Sequence, residues 1–300
     1  MWQCRCRKNG HNGAKQLYRC KCCGAQFLGG LRIDKEKLWH EYVVGRQTLS
    51  ALALKYKCSS KTIQRKLHSY KVERNVSTPS PVIVIMDTTY FGRGNGLMVF
   101  MDALTDEVLL RFRLKNETAE QYKTGISILI GRGFQIKGLV CDGKVGLLGL
   151  FGNIPTQLCQ FHQIQIVRRY LTQKPKMPAS VELLCLAKSL TNLSKQAFIK
   201  KLGDWHAKWK DFINERTTPQ TGKSFYTHKR LRSAYFSLKR NTPWLFTYQG
   251  PENKGMPNSS NKLEGLFSHL KSCLRNHNGI NEDSKTKLID GFFEAFCAKK

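Results

Sequence analysis

Val82-Ile83-Val84-Ile85-Met86-Asp87 is a run of four β-branched residues and a methionine that stops at an acid. A short apolar run of this composition reads as a strand buried on both faces. Outward from it, Leu97 to Ala103 and Val108 to Leu114 are two further strand candidates, with Thr105-Asp106 as the turn between them. A helical stretch follows at about 117–131, then a strand from Gln135 to Cys141 that ends at Asp142. Three strands able to form a meander, then a helix, then a strand, predict a mixed α/β layout.

On the amino-terminal side, residues 77–81 (Ser-Thr-Pro-Ser-Pro) read as a linker, since paired prolines cannot continue a helix. Residues 1–30 hold five of the eleven cysteines, and residues 31–76 have a helical pattern. On the carboxyl side, residues 82–300 read as one larger domain. Within it, Leu183, Leu186, Leu190 and Leu193 recur at helical spacing, and so do Phe198, Leu202, Trp205, Trp209 and Phe212 after an N-cap at Ser194. A helix from about Ser260 to Arg275, with Leu263, Phe267, Leu270 and Leu274 in one stripe, is expected as the last ordered element.

Fifty Lys and Arg against 21 Asp and Glu leave a formal charge of +29 on 300 residues. Such a chain repels itself unless it meets a polyanion, and nucleic acid is the densest one available. A membrane surface fits less well, because the charge is spread along the chain and no basic amphipathic helix stands out. Met1 to Gly10 has no apolar export segment, and no stretch approaches the roughly eighteen apolar residues of a membrane span. The expected location is cytoplasmic and DNA-associated, a reducing setting in which clustered cysteines read as metal ligands before disulfides.

Cys20-x-x-Cys23 followed by Gly24 has the spacing of a Zn²⁺ knuckle, with Cys4 and Cys6 as the other pair. Cys4-x-Cys6 is irregular: either it ligates in a strained way, or Cys4 completes a pair whose first cysteine lies upstream of Met1. Next, Thr48 to Tyr56, a turn at Lys57-Cys58 and a serine-capped helix from Ser59 to His68 follow the helix-turn-helix pattern. The second helix would present Ser60, Lys61, Gln64 and Arg65 to phosphates and base edges, with Ile63 and Leu67 packed inside.

Asp87 and Asp142 each close a strand, and carboxylates at strand ends can converge on one rim of a sheet. Glu264, beside the apolar stripe of the late helix, is the candidate third acid. Three acids can hold two Mg²⁺ (or Mn²⁺) ions about 3.5–4 Å apart for phosphodiester chemistry. Asp102 also ends a strand candidate, but Leu104-Thr105-Asp106 follows at once and marks it as a turn residue. Trp205 and Trp209 sit in a stripe of core residues, with the neighbouring cations facing solvent.

These motifs together resemble a DDE transposase with an RNase H-like catalytic domain, similar to the zinc-ribbon-bearing relatives of the IS256 and Mutator families. The resemblance rests on Val-Ile-Met-Asp87-Thr-Thr-Tyr, Val-Cys-Asp142-Gly-Lys, Cys159-Gln-Phe-His162 with Arg168-Arg169-Tyr170 after it, and Asn261-Lys-Leu-Glu264-Gly. It implies an RNase H-like mixed sheet with a helical insertion at about 179–250, preceded by a zinc-ribbon-like knuckle and a helix-turn-helix. It implies that Asp87, Asp142 and Glu264 bind the catalytic metals, and that Cys159 and His162 form a structural or DNA-positioning motif. Arg168, Arg169 and Lys271 would contact DNA. The activity implied is binding of an element's terminal repeats, cleavage at its ends and joining of the 3′-hydroxyl to target DNA. The partners would be double-stranded DNA and at least a second copy of the chain. The competing readings are a non-catalytic DNA-binding regulator or decayed transposase, and a structure-selective nuclease using the same acids.

Overall fold

The computed structural model describes residues 5–13, 15–28, 33–72, 78–144, 146–152, 154–220 and 222–297. The chain divides into two compact units, one of Met1–Glu73 with Cys273–Phe296, the other of Arg74–Ser272 with Cys297–Lys300.

In the first unit, β1 (Cys6–Asn12), β2 (Lys15–Cys20) and β3 (Gln26–Leu28) form an antiparallel sheet in that order. Cys6 stands opposite Cys20, and the cross-strand pair Tyr18 and Phe27 stacks at 5.9 Å. The loop before β3 is closed by the Gly24 amide on the Cys20 carbonyl at 3.1 Å, with Gly24 at φ 72°. Cys4 lies outside the described residues. Helices α1 (Lys35–Val43), α2 (Leu49–Lys55) and α3 (Ser60–Ser69) each start on a side-chain cap: Asp34 accepts the Glu36 and Lys37 amides, Thr48 that of Ala51, Ser59 that of Thr62. Lys57, at φ 47°, makes the turn between α2 and α3. Leu38, Leu52, Ile63 and Leu67 fill the core between the three helices.

The second unit is organised by β4 (Pro81–Tyr90), β5 (Gly96–Asp102) and β6 (Val108–Leu114), a meander, followed by α4 (Ala119–Gly131), β7 (Gln135–Cys141) and β8 (Thr156–Leu158). The sheet order is β6-β5-β4-β7-β8; the meander pairs antiparallel, while β7 and β8 run parallel to β4. This five-stranded mixed sheet has the RNase H-like order that the resemblance implies. One detail is corrected: Asp87 does not close its strand. Thr88, Thr89 and Tyr90 continue β4 because they pair with Met98, Leu97 and Gly96 and are themselves strand formers. Asp102 is a turn residue, its carboxylate accepting the Thr105 hydroxyl at 2.7 Å and the amides of Leu104 and Thr105.

Beyond β8 come α5 (Gln160–Leu171), α6 (Pro178–Lys188) and α7 (Lys195–Asn214), then a two-stranded hairpin of β9 (Arg216–Thr217) and β10 (Phe225–Tyr226), and α8 (Lys229–Leu245). Ser194 caps α7 through the Ala197 amide. Trp205 and Trp209 hold α7 to α6, donating to the Ala179 carbonyl at 3.1 Å and the Glu182 carboxylate at 2.8 Å. Three glutamines fasten α8, Gln157 to the sheet edge at β8 and Gln160 and Gln163 to α5. Gln157 and Gln160 both donate to the Leu245 carbonyl, and Gln163 donates to Ser237 Oγ and accepts from Asn241 Nδ2. All three are buried, and buried amides persist only when so paired.

Helix α9 (Asn261–Asn276) follows, with Leu263, Phe267 and Leu270 buried as one stripe. It is not the last element: α10 (Glu282–Cys297) follows it. Leu288 of α10 joins the core of α1 to α3, where Trp39 packs against Gly291. Residues 273–296 therefore pack with the first unit, whereas the sequence placed them in the 82–300 domain. Lys287 Nζ donates to the Leu67 and His68 carbonyls at 2.8 and 2.9 Å, ending α3 as a basic group suits a helix carboxyl terminus.

Gly125 of α4 lies on the Phe100 ring so closely that an added Cβ would overlap it. Alanine there gains about 1 kcal/mol of helix propensity, while overpacking costs about 1–3 kcal/mol. Gly125→Val, bulkier and β-branched, should lower the urea midpoint clearly, and Gly125→Ala should not raise it.

Candidate functional site

The site grows from the parallel pairing of β4 with β7. Ile83, Val84 and Ile85 stand beside Gly138, Leu139 and Val140. Asp87 lies two residues beyond the last of these pairs on β4, and Asp142 directly follows the end of β7, close enough for its charge to act on Asp87. Cys141 pairs with Leu158, and the Cys159 amide donates to the Cys141 carbonyl at 2.8 Å, so α5 starts on the same rim. The Ser260 amide then donates to Cys159 Sγ at 3.3 Å, and the Gln160 amide to the Asn258 carbonyl at 2.9 Å. These bonds bring the first turn of α9, with Glu264, to the rim. His162 Nε2 lies 3.5 Å from Glu264 Oε1.

Asp87 is only 9% exposed. Burial is the main reason its carboxyl is pushed up from 3.8 to about 7; the Thr88 amide and His162 oppose that rise, and the charges of Asp142 and Glu264 add to it. Asp142 is raised by burial and by Glu117, against the Lys144 amide, His162 and the Lys144 ammonium. His162 is raised to about 9, chiefly by its contact with Cys159, with Asp87 and Glu264 adding to the effect and burial opposing it. Burial alone would push the Cys159 thiol up, but His162 and the Ser260 amide outweigh it and bring it down. The rim therefore gathers carboxylates under a single imidazolium.

Sequence reasoning missed a second layer. Glu117 accepts the Tyr122 hydroxyl at 2.7 Å and pairs with Lys144 Nζ at 3.3 Å, and Tyr122 in turn lies 3.1 Å from Thr88 Oγ1. Thr88 and Lys144 stand within the motifs around Asp87 and Asp142, which was the available signal; Glu117 and Tyr122 lie in no such motif.

Arg168 and Arg169 lie on the last turn of α5, the first partly exposed and the second exposed. The Arg169 carbonyl accepts from Arg230 Nη2 at 2.6 Å. Lys271 is exposed on α9, two turns after Glu264. Ser60, Lys61, Gln64 and Arg65 are all exposed on α3, in the other unit. Of the knuckle cysteines within the described residues, Cys6 and Cys23 are exposed and Cys20 is buried. Among the described residues, the one set of three metal-ligating side chains that closes together is Cys159, His162 and Glu264.

No family model matches the chain, and no curated protein matches it. Among solved structures it is similar to a chain of the cryo-EM structure of the simian T-cell lymphotropic virus intasome in complex with the PP2A regulatory subunit B56 gamma, at 13% identity and a TM-score of 0.24. The match covers 68% of this chain and 66% of that one, just under two thirds of its length. A likeness of that degree transfers neither residues nor function. No helix among the described residues is long and apolar enough to cross a membrane.

Among the described residues the three acids do not close to within 4.8 Å of one another, but all are oxygen donors of the kind a hard divalent cation takes: Asp87 accepts the Thr88 amide, Asp142 the Lys144 amide, and Glu264 Oε1 is buried without a hydrogen bond. The sign of the pH effect follows from Asp87. Its folded pKa lies above its unfolded value, so its contribution to stability is complete below about pH 4 and is lost as pH rises through about 7. That displacement corresponds to roughly 4 kcal/mol once the group ionises. Without divalent ions, Asp87→Asn should melt higher than wild type at about pH 8 and lose that advantage towards about pH 4. Mg²⁺ or Mn²⁺ should raise the wild-type melting temperature at the higher pH more than that of the variant.

Proposed function

We propose that the chain is a DDE-type transposase, a metal-dependent enzyme that cuts phosphodiester bonds at the ends of a DNA element and joins the freed 3′-hydroxyl to target DNA. The observation that carries this reading is that Asp87, on β4, lies in electrostatic reach of both Asp142, just past the end of the parallel neighbour β7, and Glu264 on α9. In this reading the three acids hold Mg²⁺ or Mn²⁺. When bound, the metal supplies Lewis-acid stabilisation of the leaving oxygen and an activated water or hydroxyl nucleophile.

The chain's own residues do the rest. His162 holds Glu264 in place from 3.5 Å and offsets the carboxylates' mutual repulsion. Glu117 anchors Lys144 beside Asp142, where an ammonium meets an incoming phosphate. Arg168, Arg169 and Lys271 extend the cationic surface along α5 and α9. In the other unit, α3 presents Ser60, Lys61, Gln64 and Arg65 as a recognition helix for phosphates and base edges. A net charge of +29 supports a polyanionic partner. Acting on two ends at once calls for at least two copies of the chain. Zn²⁺ on Cys4, Cys6, Cys20 and Cys23 would serve the amino-terminal sheet structurally.

The test is cleavage of DNA carrying the element's ends in Mg²⁺ or Mn²⁺, with strand-transfer products scored separately from nicks. Asp142→Asn should bind DNA as wild type does and lose cleavage by several orders of magnitude; equal loss of binding and cleavage would sink the assignment. Nicking without any joined product would point to a nuclease instead. Arg65→Ala should weaken binding and lower the salt slope by about 1, while leaving cleavage of a concentrated substrate intact.

A further inference from the structure

Cys159, His162 and Glu264 each bring one ligand atom to a common point: the sulfur, a ring nitrogen and a carboxylate oxygen all lie within 4.8 Å of one another. Cys159 caps α5, and His162, three residues on, projects from the same side of its first turn. Glu264 comes from the first turn of α9, which the Ser260 amide fastens to Cys159 Sγ. Two buried atoms there have no hydrogen-bond partner, His162 Nδ1 and Glu264 Oε1. A buried imidazole nitrogen and a buried carboxylate oxygen, both without hydrogen bonds and set beside the Cys159 sulfur, are groups whose lone pairs a cation can accept.

We infer that this pocket is a binding site for a borderline transition ion, Zn²⁺ above all, and that its occupancy competes with the hard-metal site for Glu264. Thiolate, imidazole and carboxylate together select zinc or cobalt over magnesium, which takes oxygen ligands. Three protein ligands leave a fourth position for water. Cys159 is fully buried, whereas His162 and Glu264 are partly exposed. Glu264 is the only residue common to both sites. Zinc there draws it away from Asp87 and Asp142 and so inhibits any chemistry that needs all three acids. The competition rests on the function proposed above; the site itself does not.

The experiment uses the full chain, stripped of metal and titrated with Co²⁺, which gives a thiolate-to-cobalt charge-transfer band in the near ultraviolet. Wild type should take up one equivalent more than Cys159→Ser or His162→Gln, with a correspondingly stronger band. The serine keeps an acceptor for the Ser260 amide, and matching circular dichroism and melting curves establish that each variant is folded. The amino-terminal cysteines contribute equally to all three proteins and cancel. Equal cobalt uptake and equal band intensity in all three would overturn the site. In Mg²⁺-supported cleavage, the zinc concentration that halves the rate, measured for each protein against its own zinc-free rate, should rise by about a hundredfold in Cys159→Ser. No rise would overturn the competition. Absence of cleavage in every protein would defeat the proposed function, and the cobalt result would still decide the site.

Discussion

Parallel pairing of β4 with β7 is the constraint on which the rim depends. After an irregularity between Val82 and Ile83, the ladder holds one register from Ile83 beside Gly138 to Ile85 beside Val140, and the two chains leave it with Asp87 and Asp142 in electrostatic reach of each other. A slip of one residue would send one acid to the opposite face. The register is held from below by residues buried on both faces, among them Val84, Ile85, Leu139 and Val140. Exposing them would forfeit about 1.5–3 kcal/mol for each large side chain.

Burial makes this rim costly and useful for the same reason. A carboxylate in low dielectric resists ionisation, and Asp87 does so strongly enough to titrate near neutrality. The fold supplies partial compensation through backbone amides, His162 and the Lys144 ammonium, and leaves Glu264 Oε1 and His162 Nδ1 buried without a hydrogen bond. Sites poised in this way are common where a charged ligand completes the electrostatics. The glutamine fastening of α5 to α8 matters here too, because α5 carries both Cys159 and His162 and its tilt fixes where they point.

Much of this was legible in the chain because it is written in local patterns. Apolar runs marked four of the five strands of the main sheet, missing the three-residue β8, and Thr48, Ser59 and Ser194 marked helix starts whose caps are present. Asp102 read as a turn former because Leu104-Thr105-Asp106 follows at once, and the groups that donate to its carboxylate do lie within three residues. The same locality explains the errors. Asp87 was expected at a strand end because Thr88-Thr89-Tyr90 is mildly polar, yet cross-strand partners on β5 carry the strand on. Helix α10 was overlooked although Leu288, Ile289, Phe292 and Phe293 recur at helical spacing, since its core partners lie more than two hundred residues earlier in the chain.

Sequence by itself determined the residue types available for chemistry, most of the longer strand and helix segments, the basic charge and the outward face of α3. These depend on side-chain periodicity and composition, which a linear string carries in full. Only the tertiary structure decided that Glu117 and Tyr122 stand behind Asp142 and Thr88, and that Glu264 meets Cys159 and His162 across about a hundred residues of chain. Such meetings follow from strand register and helix packing, and those are settled by the summed burial of distant side chains, which no local pattern encodes.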